Sequence, residues 1–438
     1  MTGKNPAIYQ SKDGYKLTTA KKKEILLNNI FGVDIDPQAV EVTKLSLLLK
    51  VLEGESNETI GSQLALFQER VLPDLGRNIK CGNSLIGYDY FEGRMLVEQE
   101  ERERVNAFDW KAEFPQVFAQ GGFDAVFGNP PYIRIQVLQE TSSINVEYYK
   151  KTYQAASKGN YDIYVVFVEK ALSLLNQNGR LGFIMPAKFW QVQYGEPLRR
   201  LLSGDKNVSK IVSFANNQVF AAAFVNTCIL VLSKASSDKF DYIEIPKIEK
   251  GLSLAQALAK AKESSLSSKV LSDAPWVLKS GKAIALLEKL TKQGPTLEDC
   301  TSRIFQGLKT SADKIYVLDL ISQTNTSLIG YSPHLGREVE VERGLFHLLI
   351  KGTEMRPFTP LPAKRVVLFP YINNGESMSL IGENQLRTEF PKTFAYLKEN
   401  EKYLRGRESG KMNHSKWYGY VYPKALDVIS LPKLITLT

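Results

Sequence analysis

An apolar run at residues 123–127 (FDAVF) stops against Gly128-Asn129-Pro130-Pro131. Its β-branched and aromatic content reads as a strand, but neither proline can donate a backbone hydrogen bond and both fix φ near about −65°. The run must therefore end in a stiff loop rather than continue as strand or helix. Ligands gather at the carboxyl ends of strands in open α/β sheets, so the loop is the first place to look for chemistry.

The flanking sequence supports such a sheet. Residues 29–34 (NIFGVD) read as a short strand ending in acids, and residues 37–52 then show helical spacing at Val40, Thr43, Leu47 and Val51. Residues 164–175 read as a helix closed by Asn178-Gly179, followed by a strand at 180–185 and the loop Pro186-Ala187-Lys188. Residues 210–214 and 227–233 read as a late pair of strands that closes the sheet. Alternation of strands and helices of this kind predicts an α/β domain with parallel strands over residues 1–235. A stretch richer in serine and lysine, 236–298, with a helix near 254–263, reads as a connector. From Cys300 onward short strands and turns follow, including 365–370 and a turn at Lys351-Gly352-Thr353, and 299–438 reads as a second, mixed α/β domain.

Charge sharpens the second domain. The chain carries 56 Lys/Arg against 47 Asp/Glu, a net +9, a field that favours polyanions. Residues 300–438 hold 19 Lys/Arg and 13 Asp/Glu. Between Lys392 and Lys424 basic residues interleave with Phe394, Tyr396, Tyr403, Trp417, Tyr418, Tyr420 and Tyr422. That mixture suits phosphates and stacked bases, or equally a solvated basic surface over an aromatic core. Cys81, Cys228 and Cys300, like His334, His347 and His414, lie far apart without zinc spacing or an even disulfide framework. No metal is expected, and a reducing, cytoplasmic setting is the simplest reading. No apolar run reaches the length of a membrane span, and no h-region follows the N-terminal lysines.

Asn129-Pro130-Pro131-Tyr132 suits one demanding task. The exocyclic amine of adenine is a poor nucleophile because its lone pair is delocalised into the ring. A side-chain carbonyl from Asn129 and the backbone carbonyl of Pro130, each accepting one N–H, draw the nitrogen toward tetrahedral geometry. Pro131 stiffens the loop, and Tyr132 offers a flat face to an extruded base. The plain alternative is a rigid surface turn. At the earlier strand end, Asp34-Ile35-Asp36-Pro37 offers an acid for ribose hydroxyls; Asp36 also suits a helix N-cap with Pro37 at the first position. Cys81-Gly82-Asn83-Ser84-Leu85 fits a third strand end.

Together, residues 123–134 (FDAVFGNPPYIR) and 31–49 resemble the gamma-class N6-adenine DNA methyltransferases, above all the large fused enzymes of bacterial restriction–modification systems of type IIG kind. The resemblance implies a Rossmann-like methyltransferase sheet followed by a DNA target-recognition domain, with S-adenosylmethionine as cofactor and double-stranded DNA as substrate. It implies Asp34 as the ribose-binding acid, Ile35 as an adenine-packing residue and Asn83 as the cofactor adenine's partner, where the family often has Asp. It implies a catalytic loop at Asn129, Pro130, Pro131 and Tyr132, and Phe220 as a second aromatic against the flipped base, the alternative being an ordinary core phenylalanine. Tyr161-Asp162-Ile163-Tyr164 and Pro186-Ala187-Lys188-Phe189 match later family blocks. In the C-terminal part, residues 305–310 (FQGLKT) and 349–352 (LIKG) resemble recurring segments of target-recognition domains, and Lys309, Lys351, Arg405, Arg407, Lys411 and Lys416 are expected to meet DNA.

The family also carries a glycine-rich cofactor loop after its first, central strand, and no such segment precedes Asp34. The resemblance then implies a sheet lacking that strand, with a gap between the strands ending at Asp34 and at Asn129. A missing N-terminal segment, a partner subunit or the chain's own N-terminus would have to fill it, and S-adenosylmethionine would bind the chain alone weakly or not at all. A different expectation follows from the same departure: a catalytically silent DNA-binding or specificity component.

Overall fold

The computed structural model describes residues 7–11, 14–53, 73–94, 96–215, 217–220, 226–248, 253–278, 286, 289–290, 292–350, 364–375, 377–429 and 431–433. The chain divides into two units, Met1–Leu290 and Thr291–Thr438, each with its own apolar core. Among the described residues no helix is long and apolar enough to cross a membrane.

In the first unit β1 (Ile8–Ser11) and β2 (Gly14–Leu17) pair only with each other. Helix α1 (Thr19–Asn29), β3 (Gly32–Asp34) and α2 (Pro37–Leu52) follow. The Asp36 carboxylate accepts the Gln38 N–H at 2.8 Å with Pro37 in the first turn, so α2 starts where the sequence places it, a cap worth about 1 kcal/mol. β4 (Ile79–Cys81) lies parallel to β3, with Cys81 opposite Asp34.

A six-stranded sheet holds the rest: β5 (Phe123–Gly128), β6 (Leu175–Pro186), β7 (Val208–Ser213), β8 (Thr227–Ser233), β9 (Lys239–Glu244) and β10 (Glu263–Ser267), in the order β10-β9-β7-β8-β6-β5. β5 is parallel to β6 and β7 to β9, whereas β8 runs antiparallel to β6 and β7, and β10 to β9. The sheet is mixed rather than parallel. Helix α3 (Tyr164–Leu174) buries Val165, Val166 and Val168 in the same core as Leu181, Ile211 and Leu230. Gly122 opens β5 at φ +123°, where an added Cβ would lie 2.6 Å from the Leu174 carbonyl oxygen. Only glycine fits that crossing.

The expected connector 236–298 is corrected here. β9 and β10 extend the sheet, and Phe240, Tyr242, Leu266 and Trp276 join the main core, so the first unit runs to Leu290. β9 buries Phe240, Tyr242 and Ile243 and β10 only Leu266, a pattern too short and uneven to stand out in a serine-rich stretch.

The expected gap falls between β3 and β5. Among the described residues β3 pairs only with β4 and β5 only with β6, and the β1–β2 pair fills neither free edge. The two strands begin from neighbouring rings, Phe31 and Phe123 standing edge to face at 5.9 Å. Beyond that contact β5 is open, with Phe127 83% exposed.

The second unit is an antiparallel sheet, β11 (Val317–Gln323), β12 (Ser327–Ser332), β13 (Arg337–Glu342), β14 (Phe346–Leu349) and β15 (Arg365–Leu368), in the order β13-β12-β11-β15-β14. Helix α4 (Pro391–Glu399) is capped from β13: the Glu342 carboxylate accepts the Lys392 and Thr393 N–H groups, both at 2.8 Å, and the Thr393 hydroxyl at 2.7 Å.

Candidate active site

β5 delivers Asn129, exposed, Pro130, buried, and Pro131, exposed, into a loop at its carboxyl end. Tyr132 is half-buried, its hydroxyl donating to the Ile184 carbonyl on β6 at 3.3 Å. Burial, with a smaller effect from Cys228, pushes the Tyr132 phenol up to about 12. It is therefore a neutral ring rather than a proton acceptor at neutral pH. The Phe220 ring stands 6.3 Å from that of Tyr132 at 68°. Asn217 anchors the segment carrying Phe220: its Nδ2 donates to the carbonyls of Phe214 at 2.9 Å and Ile245 at 3.3 Å, and its Oδ1 accepts the Ile248 N–H at 2.9 Å.

The chain after the loop is clamped by the block 161–164. Ile135 N–H donates to Tyr161 O and Ile163 N–H to Ile133 O, both at 2.9 Å. Behind the clamp Asp162 accepts the Tyr194 hydroxyl at 2.7 Å, and Tyr194 and Tyr164 share a hydrogen bond of 3.1 Å. At the block 186–189 Ala187 and Phe189 are core residues, while Lys188 is exposed with its Nζ 6.0 Å from the Tyr194 ring centroid. Asp162 and Tyr194 therefore brace the loop, a role that spacing along the sequence does not reveal.

At the neighbouring pair of strand ends Asp34 is exposed, its Oδ1 accepting the Asp36 N–H at 2.9 Å. Asp36, not Asp34, caps α2, so the two acids divide the roles the sequence offered them. Ile35 is 55% exposed. Asn83 is buried, and its Oδ1 accepts the Leu85 N–H at 3.1 Å. Its own N–H reaches the Asn106 carbonyl at 2.6 Å, and Asn106 closes this support in a left-handed conformation (φ 47°) that asparagine tolerates. A Cβ on Gly82 would lie 2.5 Å from the Phe108 ring, which holds the turn close. A 440 Å³ cleft in this unit lies along α2 and β4, lined by Val40, Lys44, Cys81, Tyr88 and Phe108 among others. None of the expected cofactor residues lines it. Among the described residues no group of three His, Cys, Asp or Glu side chains could hold a metal ion.

In the second unit the expected DNA-binding residues separate. Lys309, Lys411 and Lys416 are exposed, and Lys351 lies outside the described residues. Arg407 corrects the expectation: it is 6% exposed and donates to the carbonyls of Leu404 at 2.8 Å, Thr310 at 3.3 Å, Trp417 at 2.6 Å and Gly419 at 2.9 Å. A cation so committed ties the fold together and cannot reach a phosphate. Arg405 is half-buried, paired with Glu401 at 2.8 Å and lying over the Trp417 ring. Tyr396, Trp417, Tyr418 and Tyr420 are core, while Tyr403 and Tyr422 remain exposed. Of the two readings of this basic, aromatic stretch, most of the rings follow the core one.

Residues 28–220 match the family model described as Eco57I restriction-modification methylase. Over 95% of its length the chain is 30% identical to the type II restriction enzyme and methyltransferase RM.Eco57I of Escherichia coli, of which it spans 40%. Over 72% of its length it is 25% identical to the type II methyltransferase M.BstVI of Geobacillus stearothermophilus, of which it spans 54%. Among solved structures, the type IIL restriction-modification enzyme MmeI in complex with DNA superposes with a TM-score of 0.41 at 16% identity, over 92% of this chain and 53% of that one. Through residues 28–220 the chain is thus similar to the Eco57I restriction-modification methylases, and it spans about half or less of the length of the type II relatives named here.

Proposed function

We propose that the chain transfers a methyl group from S-adenosylmethionine to N6 of an adenine turned out of duplex DNA, as part of a restriction–modification system. The observation that carries this reading is the stiff loop Asn129-Pro130-Pro131-Tyr132 at the end of β5, with Phe220 held 6.3 Å from Tyr132. The Asn129 side-chain oxygen and the Pro130 carbonyl accept the two N–H groups of the amine and free its lone pair. Tyr132 and Phe220 flank the base, both uncharged, so they stack without competing for its protons.

The donor set at β3 and β4 fits a nucleoside. The turn's own donor, the Asp36 N–H, goes to Oδ1 of Asp34, so the second carboxylate oxygen suits ribose hydroxyls; the exposed Ile35 side chain suits the face of a purine. Asn83 is engaged in its own turn, so its part is to shape the wall. S-adenosylmethionine, when bound, supplies an electrophilic methyl group. The free edges of β3 and β5 favour the companion reading that a strand outside the described residues completes the cofactor site. Calorimetry with S-adenosylmethionine tests this: weak or absent binding by the 438 residues, restored by an added segment bearing a strand and glycine-rich loop, is expected. Tight binding by the chain alone would show that the cofactor sits elsewhere.

The catalytic role is tested by Asn129→Ala in the chain completed by that added segment. Methylation should be lost while DNA affinity stays within a few fold, because the side chain acts on the amine in the transition state. Retained turnover would remove Asn129 from that role.

A further inference from the structure

We propose that a small basic cleft in the second unit, formed by residues 303–309 against 422–425, seats one backbone phosphate of the bound DNA, with Lys309 and Lys424 as its cations and Tyr422 as its wall. The inference rests on the reading of DNA as substrate and adds the place of contact.

The cleft measures 210 Å³ and is lined by Arg303, Phe305, Gly307, Lys309, Tyr422 and Lys424, with their neighbours. Sites for free small molecules usually begin at roughly 300 Å³, so this volume suits a point of contact on a longer ligand. Charge selects the kind of ligand. Arg303 is paired with Asp427 at 2.8 Å, but no acid among the described residues lies within ion-pair reach of Lys309 or Lys424. The Lys309 ammonium stands 5.7 Å from the centroid of the Tyr422 ring, which is 43% exposed. An aromatic wall beside an unpaired cation is the combination that grips a sugar–phosphate unit.

The backbone adds a second, independent feature. Among the described residues no backbone N–H from Ser302 to Lys309 donates to a protein acceptor. Gly307 has nothing within 4 Å of where a Cβ would be. A run of unclaimed donors beside two unpaired cations suits an anion, and open space at Gly307 lets it approach the main chain. An extended peptide laid along the same segment would leave both lysines without acids, so the phosphate is the better occupant.

Fluorescence anisotropy of a mixed-sequence duplex, titrated with the full chain at a series of salt concentrations, tests the proposal. Each phosphate neutralised contributes a slope of about 0.9 in log affinity against log salt. Lys309→Gln and Lys424→Gln should each reduce the slope, together by about 0.9, and weaken binding to all sequences alike. Lys309→Arg should preserve the slope. Lys392→Gln, whose ammonium is already paired with Glu340 at 2.6 Å, should leave it unchanged. Intact DNA binding with an unaltered slope in both cleft variants would overturn the cleft and spare the DNA reading. Failure of the unaltered chain to bind duplex would overturn both.

Discussion

The rings of Tyr132 and Phe220 stand edge to face, 6.3 Å apart at 68°, although they lie 88 positions apart in sequence. One ring is fixed by a hydroxyl bond to Ile184 on β6, the other by the Asn217 anchor between β7 and β9. The pair is therefore a product of the sheet, and in the proposed function it is the pair that flanks the base.

Phe220→Ala should lower methyl transfer by roughly tenfold to a hundredfold, since stacking on an aromatic side chain is worth about 1–3 kcal/mol per base. Duplex affinity should change far less. A duplex carrying 2-aminopurine reports base extrusion directly: its fluorescence gain on binding should shrink in the variant. An unchanged gain and unchanged turnover would return Phe220 to the role of a packing residue.

Tyr132→Phe separates ring from hydroxyl. Burial pushes the phenol up to about 12 and the proposed mechanism asks no proton of it, so turnover from pH 6 to 9 should follow the parent profile. Loss of the bond to Ile184 should cost about 1 kcal/mol of stability. The folded phenol titrates above the ordinary tyrosine value of 10.0, so its neutral form stabilises the fold fully below that value, and the contribution is lost as pH rises toward about 12. Alkaline unfolding of the variant should accordingly be less steep in that window.

Arg407→Leu should destabilise the second unit by about 3 kcal/mol or more, because it strands carbonyls that the guanidinium now satisfies. Thermal unfolding should show a lowered transition for that unit. A stable variant with weakened DNA binding would instead make Arg407 a contact residue.

Glu342→Gln tests the cap on α4. Burial raises the Glu342 carboxyl, but its bonds from the Thr393 hydroxyl and the Lys392 and Thr393 N–H groups outweigh that and hold it below the ordinary 4.5. A depressed carboxylate stabilises above the unfolded value and loses its contribution as pH falls through the folded one. The parent should therefore lose stability on acidification below pH 4.5 as this carboxyl protonates. In the variant that acid-dependent loss should vanish.

Local signals were readable where chemistry is local. Asp36-Pro37 places α2 to the residue, and the apolar run before Gly128 places β5. Depth was not readable: Arg407 and Lys411 are alike as charges along the chain, yet one is enclosed by carbonyls and the other faces water. The aromatic content of 392–424 concealed a core in which tyrosine hydroxyls bond to main-chain carbonyls, as Tyr418 does to Ile381. β10 was missed because Glu263–Ser267 has one buried apolar residue, Leu266, and is held mainly by its ladder to β9. The Asp162–Tyr194 brace joins positions 32 apart and has no spacing signature.

Nucleoside mass spectrometry of duplex DNA incubated with S-adenosylmethionine tests the central claim most directly, using the 438 residues with and without the added glycine-loop segment. The account predicts N6-methyladenine when the segment is present and none with Asn129→Ala. Methyl groups on cytosine or on a protein glutamine, or N6-methyladenine undiminished by Asn129→Ala, would contradict it.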